Sequence, residues 1–513
     1  MKLTDLFNNV EVLAVHGKEL LEPENIVKGI QNYSGKLKEG ELFVAIPGFE
    51  ADGHDYLEAA AAKGAVAAIV ERINSELELA QFQVESARKA QAEVSAQFYG
   101  HPSSELRLCG ITGSNGKTTT SLMLQSILEE AGEASGLIGT VAYRTGQSEV
   151  ESKLTTPDSP DLQRYLREMV ESGYKSAIME VSSIGQTQYR AHATEFALAI
   201  FLNLGREHLD FHGNIENYYE AKKPLIVNLP ETSTAVLNVD DPYSIALESA
   251  TKAKVIRFGL GEGADVRAVE IDLSSGFAEA NLQLSERIRQ ELALSEQNLH
   301  FRLRVPGFHS LMNALAAAAA GLALGYTVST CLRGLERYAG VERRFQEIYH
   351  EDFRIFDDHF ANAGNIKMSL ETLAKMDYKR LHLIYAIRGK RGVTVNRENI
   401  EAFLPFIPKL RLANFVATLS RDTAGHYDEV LPEEELVFKE AMDKGGCEYE
   451  LTERLEEAIE KGLAYCEPGD LLLLAGCQGM DAGGRIALTA LSEKYPDRKD
   501  EILAPIKDRV CGW

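Results

Sequence analysis

A glycine-rich stretch, GITGSNGKTTT, contains the residues whose types and spacing point most directly to chemistry. Gly110, Gly113 and Gly116 can adopt positive φ without steric cost, so successive backbone N–H groups can turn inward around phosphate oxygens. Lys117 then begins a predicted helix, whose positive dipole end adds to the attraction for an anion. Thr118 is placed to hold Mg²⁺ through its hydroxyl. The stretch predicts a nucleotide site, although an isoleucine replaces the first glycine of the Walker A pattern.

The residues that follow decide between several kinds of nucleotide site. A phosphate loop could belong to a kinase, a GTPase switch or a transporter motor, and a glycine-rich turn with a surface lysine is the simpler alternative. Glu180 closes the apolar strand KSAIMEV, where an acid can bind the same Mg²⁺ or can simply be solvated. His208, His212 and Lys222 follow another strand. The two histidines could be metal ligands or polar loop residues.

These candidate residues must be positioned by a repeating pattern of strand, turn and helix. From about residue 105, apolar runs such as LRLCGITG, KSAIMEV, FALAIFLNL and TAVLNVDD alternate with helical segments. This alternation is typical of a mostly parallel sheet covered by helices. Residues 265–305 alternate like antiparallel strands and are expected to add an edge to that sheet. The final PDRKDEILAPIKDRVCGW is predicted to be an exposed tail helix.

The length of 513 residues is too great for one hydrophobic core. Residues 1–100 form a predicted small α/β unit, the repeating pattern occupies 101–340, and a renewed alternation occupies 341–513. The formal net charge of −23 argues against a protein that binds nucleic acid or anionic membranes through a broad basic surface. The scattered cysteines and the lack of a signal or membrane-spanning segment favour a cytoplasmic protein.

Four motifs, TGSNGKTT, LTTPD, MEVSSIGQTQYR and NLGREHLDFHGNIENYYEAK, occur in that order and resemble those of the Mur ligases. The likeness is strongest to the MurE type, which adds the third residue to the peptidoglycan precursor UDP-N-acetylmuramoyl-L-Ala-D-Glu. The resemblance is dense over about residues 29–240 and patchy beyond 340. It implies a three-domain α/β architecture with a central P-loop parallel-sheet ATPase domain. The carboxyl-terminal domain is expected to be Rossmann-like, serving acceptor binding and closure, and the amino-terminal domain to bind the UDP substrate.

The same resemblance implies an ATP site with two Mg²⁺ ions. Thr118 and Glu180 would serve the first ion, and His208 and Lys222 the second, the lysine after carbamylation by CO₂. A cationic lysine would repel Mg²⁺, whereas a carbamate offers it an anionic oxygen. Lys223 is adjacent, so the choice of Lys222 rests on the family spacing. The residues implied to bind ATP are Gly113, Ser114, Asn115, Gly116, Lys117, Thr118, Thr119, Asn313, Arg344 and Asp357. Asp357 or Asp358 could contact the ribose, or either could be an ordinary acid at a strand end.

The donor side matches the family more fully than the acceptor side does. In the donor site, Ile184 replaces a histidine, and the family triplet D-S-R is replaced by Tyr33, Ser34 and Gly35. The acceptor motifs are replaced by LSRDTAG and GCQGMDAGG, so the identity of the amine is not inferred. The residues implied to bind the donor are Ser34, Thr155, Thr156, Ser182, Gln188 and Arg190.

The expected activity is ATP-dependent amide synthesis in cell-wall precursor assembly. A carboxylate attacks the γ-phosphate to give an acyl phosphate and ADP, and an amine then displaces phosphate. Lys117, Glu180, His208 and Lys222 are the residues expected to act in this chemistry. The expected partners are ATP, a UDP-muramoyl-peptide-like donor and an amine, and the protein is expected to be a monomer. Two alternatives stay open: a ligase for another carboxylate, and a nucleotide-binding partner protein without catalysis.

Overall fold

Three β-sheets organise the chain in this computed structural model. It describes residues 1–21, 26–48, 51–205, 207, 209–291, 293, 299–340, 342–360, 362–507 and 509. The chain divides into two compact units. The first comprises Met1–Val269, Leu282–Leu299 and Asn313–Leu335; the second comprises Glu270–Asn281, His300–Met312 and Glu336–Trp513. The division into 1–100, 101–340 and 341–513 therefore stays a prediction.

The amino-terminal sheet is small and mostly parallel. Its strands are β1 (Ala14–His16), β2 (Ile30–Gln31), β3 (Leu42–Val44), β4 (Ala67–Val70) and β5 (Gln81–Gln83). The strand order is β1-β5-β4-β3-β2, and β1 runs antiparallel to β5. Its helices are α1 (Leu3–Leu6), α2 (Leu57–Ala62) and α3 (Ala87–Phe98).

The central sheet has eleven strands in the order β16-β15-β14-β13-β12-β11-β6-β10-β7-β8-β9. They are β6 (Arg107–Thr112), β7 (Ser135–Ile138), β8 (Ala142–Arg144), β9 (Glu149–Glu151), β10 (Ser176–Glu180), β11 (Leu198–Phe201), β12 (Thr234–Asn238), β13 (Lys254–Gly259), β14 (Val266–Asp272), β15 (Phe277–Leu284) and β16 (Leu299–Pro306). The helices are α4 (Lys117–Glu130), α5 (Ser159–Glu171), α6 (Ser183–Thr187), α7 (Leu209–His212), α8 (Ile215–Lys222), α9 (Pro224–Val227), α10 (Pro242–Ile245), α11 (Glu286–Glu291), α12 (Phe308–Ala323) and α13 (Val328–Arg337).

Burial on both faces explains why the middle of this sheet is parallel. Strand β10 and strand β11 consist of buried residues throughout and flank β6 in parallel register. Such continuous apolar strands need helices on both faces, which crossover connections supply. The predicted parallel sheet is confirmed, and β14, β15 and β16 form the predicted edge. The carboxyl ends of β6, β10 and β11 consequently meet at one edge of the sheet, where the candidate site residues lie.

The carboxyl-terminal sheet has six strands in the order β17-β18-β22-β19-β20-β21. They are β17 (Gln346–His350), β18 (Arg354–Asp358), β19 (Leu381–Ala386), β20 (Leu412–Thr418), β21 (Glu450–Thr452) and β22 (Leu471–Ala475). The helices are α14 (Ala363–Leu373), α15 (Val393–Phe403), α16 (Pro432–Gly445), α17 (Leu455–Tyr465), α18 (Gly483–Lys494) and α19 (Lys499–Leu503). Strands β18 to β21 pair in parallel, as a Rossmann-like domain requires.

The carboxyl-terminal tail differs from its prediction as an exposed helix. Only five residues, Lys499–Leu503, form α-helix. Ile502 and Ile506 are buried and join a core cluster with residues of β22 and α18. Their spacing of four residues puts both on one face of a helical segment, and that face packs inward. Among the described residues, no helix is long and apolar enough to cross a membrane.

Candidate active site

The phosphate-loop candidate connects β6 to α4 through two glycines with left-handed backbone geometry. Gly113 has φ of +148° and Gly116 has φ of +89°. A Cβ on Gly113 would lie 2.9 Å from the Leu202 Cβ, so this position has no room for a side chain. Gly110 differs from its prediction, because it lies within β6 without positive φ. A Cβ there would lie 2.8 Å from the Phe196 ring, so Gly110 serves packing and not the loop.

The Lys117 side chain folds back over the loop that precedes it. Its ammonium donates to the Gly113 carbonyl at 2.8 Å and to the Ser114 carbonyl at 2.9 Å. Burial lowers the pKa of Lys117, and the carboxylates of Glu180 and Glu207 act in the opposite direction. The Lys117 ammonium therefore lies at the phosphate loop, and a rotation of the side chain can bring it to an anionic ligand. Thr119, also predicted to bind ATP, is half-buried in the first turn of α4.

The loop is fastened by an asparagine that sequence reasoning missed. Asn203 accepts from the Asn115 backbone N–H at 3.0 Å, and its side-chain amide donates to the Asn115 carbonyl at 3.1 Å. The Ser114 N–H donates to the Asn203 carbonyl at 3.0 Å, and the Ser114 hydroxyl accepts from the Gly205 N–H at 2.8 Å. The sequence feature that could have indicated this role is the position of Asn203 shortly after the apolar strand β11.

Glu180 lies at the carboxyl end of β10 and faces the first turn of α4. Its carboxylate is buried, with 1% exposure, and accepts from the Thr118 hydroxyl at 3.0 Å. It also accepts from the Thr140 N–H at 2.9 Å and the Thr140 hydroxyl at 3.0 Å. The predicted pairing of Thr118 with Glu180 is present, and Thr140 is an addition that the sequence did not suggest. These hard oxygen donors fit Mg²⁺, which prefers carboxylate and hydroxyl oxygens.

Lys222 is buried at the end of α8, with 1% exposure, and reaches the phosphate loop. Its amine donates to the Gly113 carbonyl at 3.0 Å and lies 4.7 Å from the centre of the Tyr218 ring. Burial, followed by the positive charge of Lys117, lowers its pKa well below the usual value. Lys223 instead pairs with Glu220 at 3.0 Å near the surface. The structure therefore distinguishes the buried Lys222 from the more exposed Lys223, which the sequence alone could not do.

Of the two predicted histidines, His212 is within the described structure, and His208 lies outside the described residues. His212 is buried, and its Nε2 lies 3.0 Å from the Ser183 hydroxyl. This contact suits a histidine that holds α7 against α6. Across the described ranges, no group of three or more His, Cys, Asp and Glu side chains is arranged to hold a metal by itself.

Two predicted donor residues, Thr156 and Ser182, are hydrogen-bonded to each other next to Glu180. The Thr156 hydroxyl donates to the Glu180 carbonyl at 2.9 Å and accepts from the Ser182 N–H at 3.0 Å. The Ser182 hydroxyl accepts from the Gly185 N–H at 3.0 Å and so caps α6. The Thr155 hydroxyl lies 3.1 Å from that of Thr140. The TTPD segment is thereby fixed beside the acid predicted to bind Mg²⁺.

Arg190 joins this group from the other side. Its guanidinium donates to the Thr156 carbonyl at 3.0 Å and to the Gln188 side chain at 2.6 Å, and it pairs with Asp158 at 3.0 Å. The structure thus brings together Thr156, Gln188 and Arg190, three of the residues predicted to bind the donor. Arg190 is largely buried, which suits a residue that clamps an anion in one orientation.

Ser34, the remaining predicted donor residue, lies in the amino-terminal sheet region. The Lys63 ammonium donates to the Ser34 carbonyl at 2.7 Å and to the Gly35 carbonyl at 2.9 Å. Lys63 was missed by the sequence analysis, and it supplies a positive charge where the family triplet has an arginine. Tyr33 exposes its ring, with 60% exposure, and is available for stacking.

The predicted ATP residues outside the loop have different surroundings. Asn313 is buried and lies over the loop, so a Cβ on Gly116 would approach its Oδ1 to 2.2 Å. Arg344, in the second unit, is exposed and lines a cavity of about 620 Å³ together with Arg302 and Arg304. Within the first unit, the structure thus places Asn313 against the phosphate loop.

Asp357, predicted to bind ATP, is engaged in buried ion pairs. It is fully buried, and its two oxygens pair with Arg343 at 3.2 Å and with Arg509 at 2.6 Å. Arg343 also contacts Asp481. A ribose contact would require these buried ion pairs to break, so the surroundings favour the alternative of a structural acid at a strand end.

The side chains available on the acceptor side are also engaged within the second unit. Arg391 pairs with Asp428 at 3.1 Å, and Arg421 pairs with Glu453 at 2.6 Å. Buried Glu434 accepts from the backbone N–H groups of residues 390, 391 and 392 at 2.9, 2.8 and 2.7 Å. Its carboxylate therefore fixes the loop that follows β19.

Comparisons with known proteins agree with this arrangement. Three family models match: "Mur ligase family, catalytic domain" over residues 26–100, "Mur ligase middle domain" over 111–321, and "Mur ligase, glutamate ligase domain" over 343–478. A UDP-N-acetylmuramoyl-L-alanyl-D-glutamate--2,6-diaminopimelate ligase from Alkaliphilus metalliredigens is 32% identical over 93% of this chain and 92% of its own length. The ligase of the same name from Listeria monocytogenes is 31% identical over 93% of both chains.

Solved structures show the same fold. A UDP-N-acetylmuramoyl-L-alanyl-D-glutamate--2,6-diaminopimelate ligase superimposes with a TM-score of 0.68 at 22% identity, covering 93% of each chain. The MurF ligase of Thermotoga maritima in complex with ADP gives a TM-score of 0.59 at 21% identity, covering 93% of this chain and 100% of that one. The phosphate loop, its acid and these matches define an ATP-dependent acid–amino-acid ligase with a three-domain fold. The chain belongs to the Mur ligase family.

Proposed function

We propose that this ligase joins the free carboxylate of a UDP-N-acetylmuramoyl-peptide to an amino acid or other amine, in the synthesis of a cell-wall precursor. The observation that carries the proposal is the buried Lys222 amine, 3.0 Å from the Gly113 carbonyl of the phosphate loop. An ordinary phosphate loop has no need for a second buried lysine beside it. The relatives named as diaminopimelate ligases support a donor of the UDP-muramoyl-dipeptide type.

The first step would be attack of the donor carboxylate on the γ-phosphate of ATP, which gives an acyl phosphate and ADP. The amine would then attack the acyl carbon and release phosphate, leaving an amide. Lys117 is suited to follow the β- and γ-phosphates, because its ammonium is already at the loop and is held there by two backbone carbonyls. The backbone N–H groups around Gly113 and Gly116 would orient the phosphates.

Two anions must approach each other in the first step, so positive charge is needed between them. Thr118 and Glu180 would hold one Mg²⁺ ion, and His208 with a carbamate on Lys222 would hold a second. When bound, these ions would neutralise charge on the phosphates and on the attacking carboxylate. The low pKa of Lys222 supports the carbamate, because a neutral amine can attack CO₂ and lose a proton, whereas an ammonium cannot.

The three-domain division fits this sequence of events as a further part of the proposal. Residues 1–100 would bind the uridine end of the donor, 101–340 would bind ATP and the reacting carboxylate, and 341–513 would bring the amine. Arg344, near the beginning of the third segment, is exposed and would therefore be available to a nucleotide phosphate. The charged side chains near the acceptor loops do not by themselves identify the amine, so experiment must identify the one that is used.

The decisive experiment is ADP release with UDP-N-acetylmuramoyl-L-Ala-D-Glu, ATP and Mg²⁺ across a panel of amines. The panel should contain diaminopimelate, lysine, ornithine and single-amine amino acids, with each reaction repeated without donor. Donor- and amine-dependent ADP release with formation of the new amide is the expected result. No stimulation by any amine would contradict the proposed donor.

Two alternatives have distinct outcomes in the same assay. A ligase for another carboxylate, suggested by the missing D-S-R arginine and the rewritten acceptor loops, would respond to a different carboxylate donor in the presence of an amine. A partner protein without catalysis would bind ATP but release no ADP with any donor. The second alternative gives no reason for Glu180 and Lys222 to be buried around one loop.

A further inference from the structure

A second arginine lies beside the donor group that contains Arg190. Helices α3 and α5 pack together, and Arg167 on α5 donates to the Tyr99 and Gly100 carbonyls at the end of α3, at 2.8 and 3.0 Å. His192, two residues after Arg190, lies 3.1 Å from Glu93 of α3. The two helices therefore run side by side in the same direction. Arg88, near the beginning of α3, interacts electrostatically with Asp158, which precedes α5, and with Arg190.

Arg88 and Arg190 have very different partners. Arg190 is paired with Asp158 at 3.0 Å. Arg88 is half-buried and donates one long hydrogen bond to the Pro47 carbonyl at 3.4 Å. Within the described ranges, no carboxylate lies at ion-pair distance from its guanidinium. A buried or half-buried arginine is ordinarily paired, because its five N–H groups are costly to remove from water.

The position of Arg88 is also unfavourable for the fold. It is the second residue of α3, where the positive end of the helix dipole repels a cation. Burial lowers the pKa of Arg88, and the positive charge of Arg190 lowers it further, whereas Asp158 and Glu71 act in the opposite direction. An anion bound beside Arg88 would compensate for its burial and for the unfavourable helix dipole.

We propose that Arg88 and Arg190 together form a binding site for an anionic group of the donor, so that Arg88 is a further donor-binding residue. This inference rests on the proposed function. The anion is either the carboxylate that does not react or a phosphate of the uridine diphosphate, since guanidinium groups bind both in the same way. Arg190 approaches from the central sheet and Arg88 from the amino-terminal helix, so one anion would connect the two parts of the donor site.

The test compares Arg88→Gln, Arg88→Lys and a control, Lys89→Gln, on the exposed side of the same helix. Each variant is assayed for the KM of the donor, for kcat, and for donor binding by calorimetry in the absence of ATP. We expect Arg88→Gln to raise the donor KM and Kd by about ten- to a hundred-fold, which is the usual effect of losing a charge-assisted hydrogen bond. The kcat should change by less than about three-fold, and Arg88→Lys should recover part of the affinity.

A second measurement separates binding from a structural role. Because Arg88 is unfavourably placed, Arg88→Gln should leave the melting temperature of the free protein unchanged or higher, while reducing its increase on adding donor. A structural arginine would instead lower the melting temperature of the free protein. Lys89→Gln should change neither quantity.

Two modified donors identify the anion. N-acetylmuramoyl-L-Ala-D-Glu without UDP lacks the phosphates, and UDP-N-acetylmuramoyl-L-Ala-D-isoglutamine lacks the carboxylate that does not react. The effect of Arg88→Gln should disappear with the first donor if Arg88 binds phosphate, and with the second if it binds the carboxylate. If wild type binds the donor and Arg88→Gln binds every donor equally well, the inference is wrong. If wild type binds none of them, the proposed function is wrong as well.

Discussion

The central site and the acceptor loops of the second unit contain charged residues held in opposite ways. In the central site, Lys117 and Lys222 are held by backbone carbonyls of one loop. In the second unit, Arg343 and Arg391 are held by carboxylates. An amine held by carbonyls can be transferred to a phosphate or modified at little cost, whereas a guanidinium in an ion pair must first leave its partner. The contrast favours a chemical role for Lys117 and Lys222 and a loop-stabilising role for Arg343 and Arg391.

The strongest test of this contrast is removal of the buried amine. Lys222→Ala should reduce turnover at least about a thousand-fold, because it removes the group proposed to become a metal ligand. ATP affinity should fall by less than about ten-fold, since the loop itself is intact. Lys223→Ala is the matched control and should keep full turnover. Steady-state ADP release and nucleotide binding check both variants, and full activity of Lys222→Ala would contradict the carbamate role.

The complementary test in the second unit is Asp357→Asn. It removes the carboxylate charge from the ion pairs with buried Arg509 and with Arg343, which also pairs with Asp481, and breaking a comparable buried pair costs about 3–5 kcal/mol. We expect the free energy of unfolding of this unit to fall by that amount in urea denaturation. The KM for ATP, measured where the variant is folded, should change by less than about three-fold. A large rise in the ATP KM without loss of stability would support the ribose contact instead.

A glycine pair at the two ends of α4 sharpens the comparison. Gly116 has φ of +89° and no room for a Cβ, whereas Gly132 has φ of +75° and nothing within 4 Å of the Cβ position. Both alanine variants should lose about 1–2 kcal/mol through the left-handed backbone. Gly116→Ala alone should also displace Asn313 and weaken ATP binding about a hundred-fold. Thermal unfolding and nucleotide titration of both variants separate the two effects.

The smallest expected effect concerns Asp358, the last residue of β18, and the adjacent His359. Burial raises the pKa of Asp358 to about 6, so the folded state binds its proton more strongly, and this contribution to stability is lost as pH rises from about 4 to 6. Burial and nearby arginines lower the pKa of His359 to about 4, so its contribution is lost as pH falls from about 6.5 to 4. The two slopes oppose each other.

Single variants should therefore reveal opposite pH dependences. Asp358→Asn should make unfolding more sensitive to acid between pH 6 and 4, by roughly 2 kcal/mol over that interval. His359→Gln should make the same interval less sensitive to acid. Urea denaturation at a series of pH values measures both slopes, and parallel slopes in the two variants would contradict the opposed titrations.

The sequence predicted most of the fold, because apolar strands separated by glycine turns leave few alternatives to a parallel sheet. It also predicted that Thr118 and Glu180 would lie together, since each has a fixed place at the end of a strand or the beginning of a helix. It missed Asn203 and Thr140, whose contacts to the site cross between distant segments and carry no local pattern. The sequence also did not predict which lysine side chain points inward, because the choice between Lys222 and Lys223 depends on which side of α8 is buried.

In the second unit, side-chain partners could not be predicted for a related reason. Strand-end acids such as Asp357 look alike in sequence whether they bind a ligand or a buried arginine, and Arg509 is more than a hundred residues away along the chain. The tail was mispredicted because a charged segment hides two apolar residues, Ile502 and Ile506, at helical spacing. Local composition indicated exposure, whereas the spacing of these two residues decided the packing.

The buried Arg509 affects how the protein can be tagged and shortened. Its guanidinium reaches Asp357 at 2.6 Å and the Gln346 side chain at 2.6 Å, so Arg509 is part of the carboxyl-terminal fold. A deletion from residue 509 onward would remove half of the charge compensation around Asp357. At the other end, the amino group of Met1 makes one hydrogen bond, to the Val27 carbonyl at 3.2 Å. An affinity tag is therefore better tolerated before Met1 than in place of the final residues.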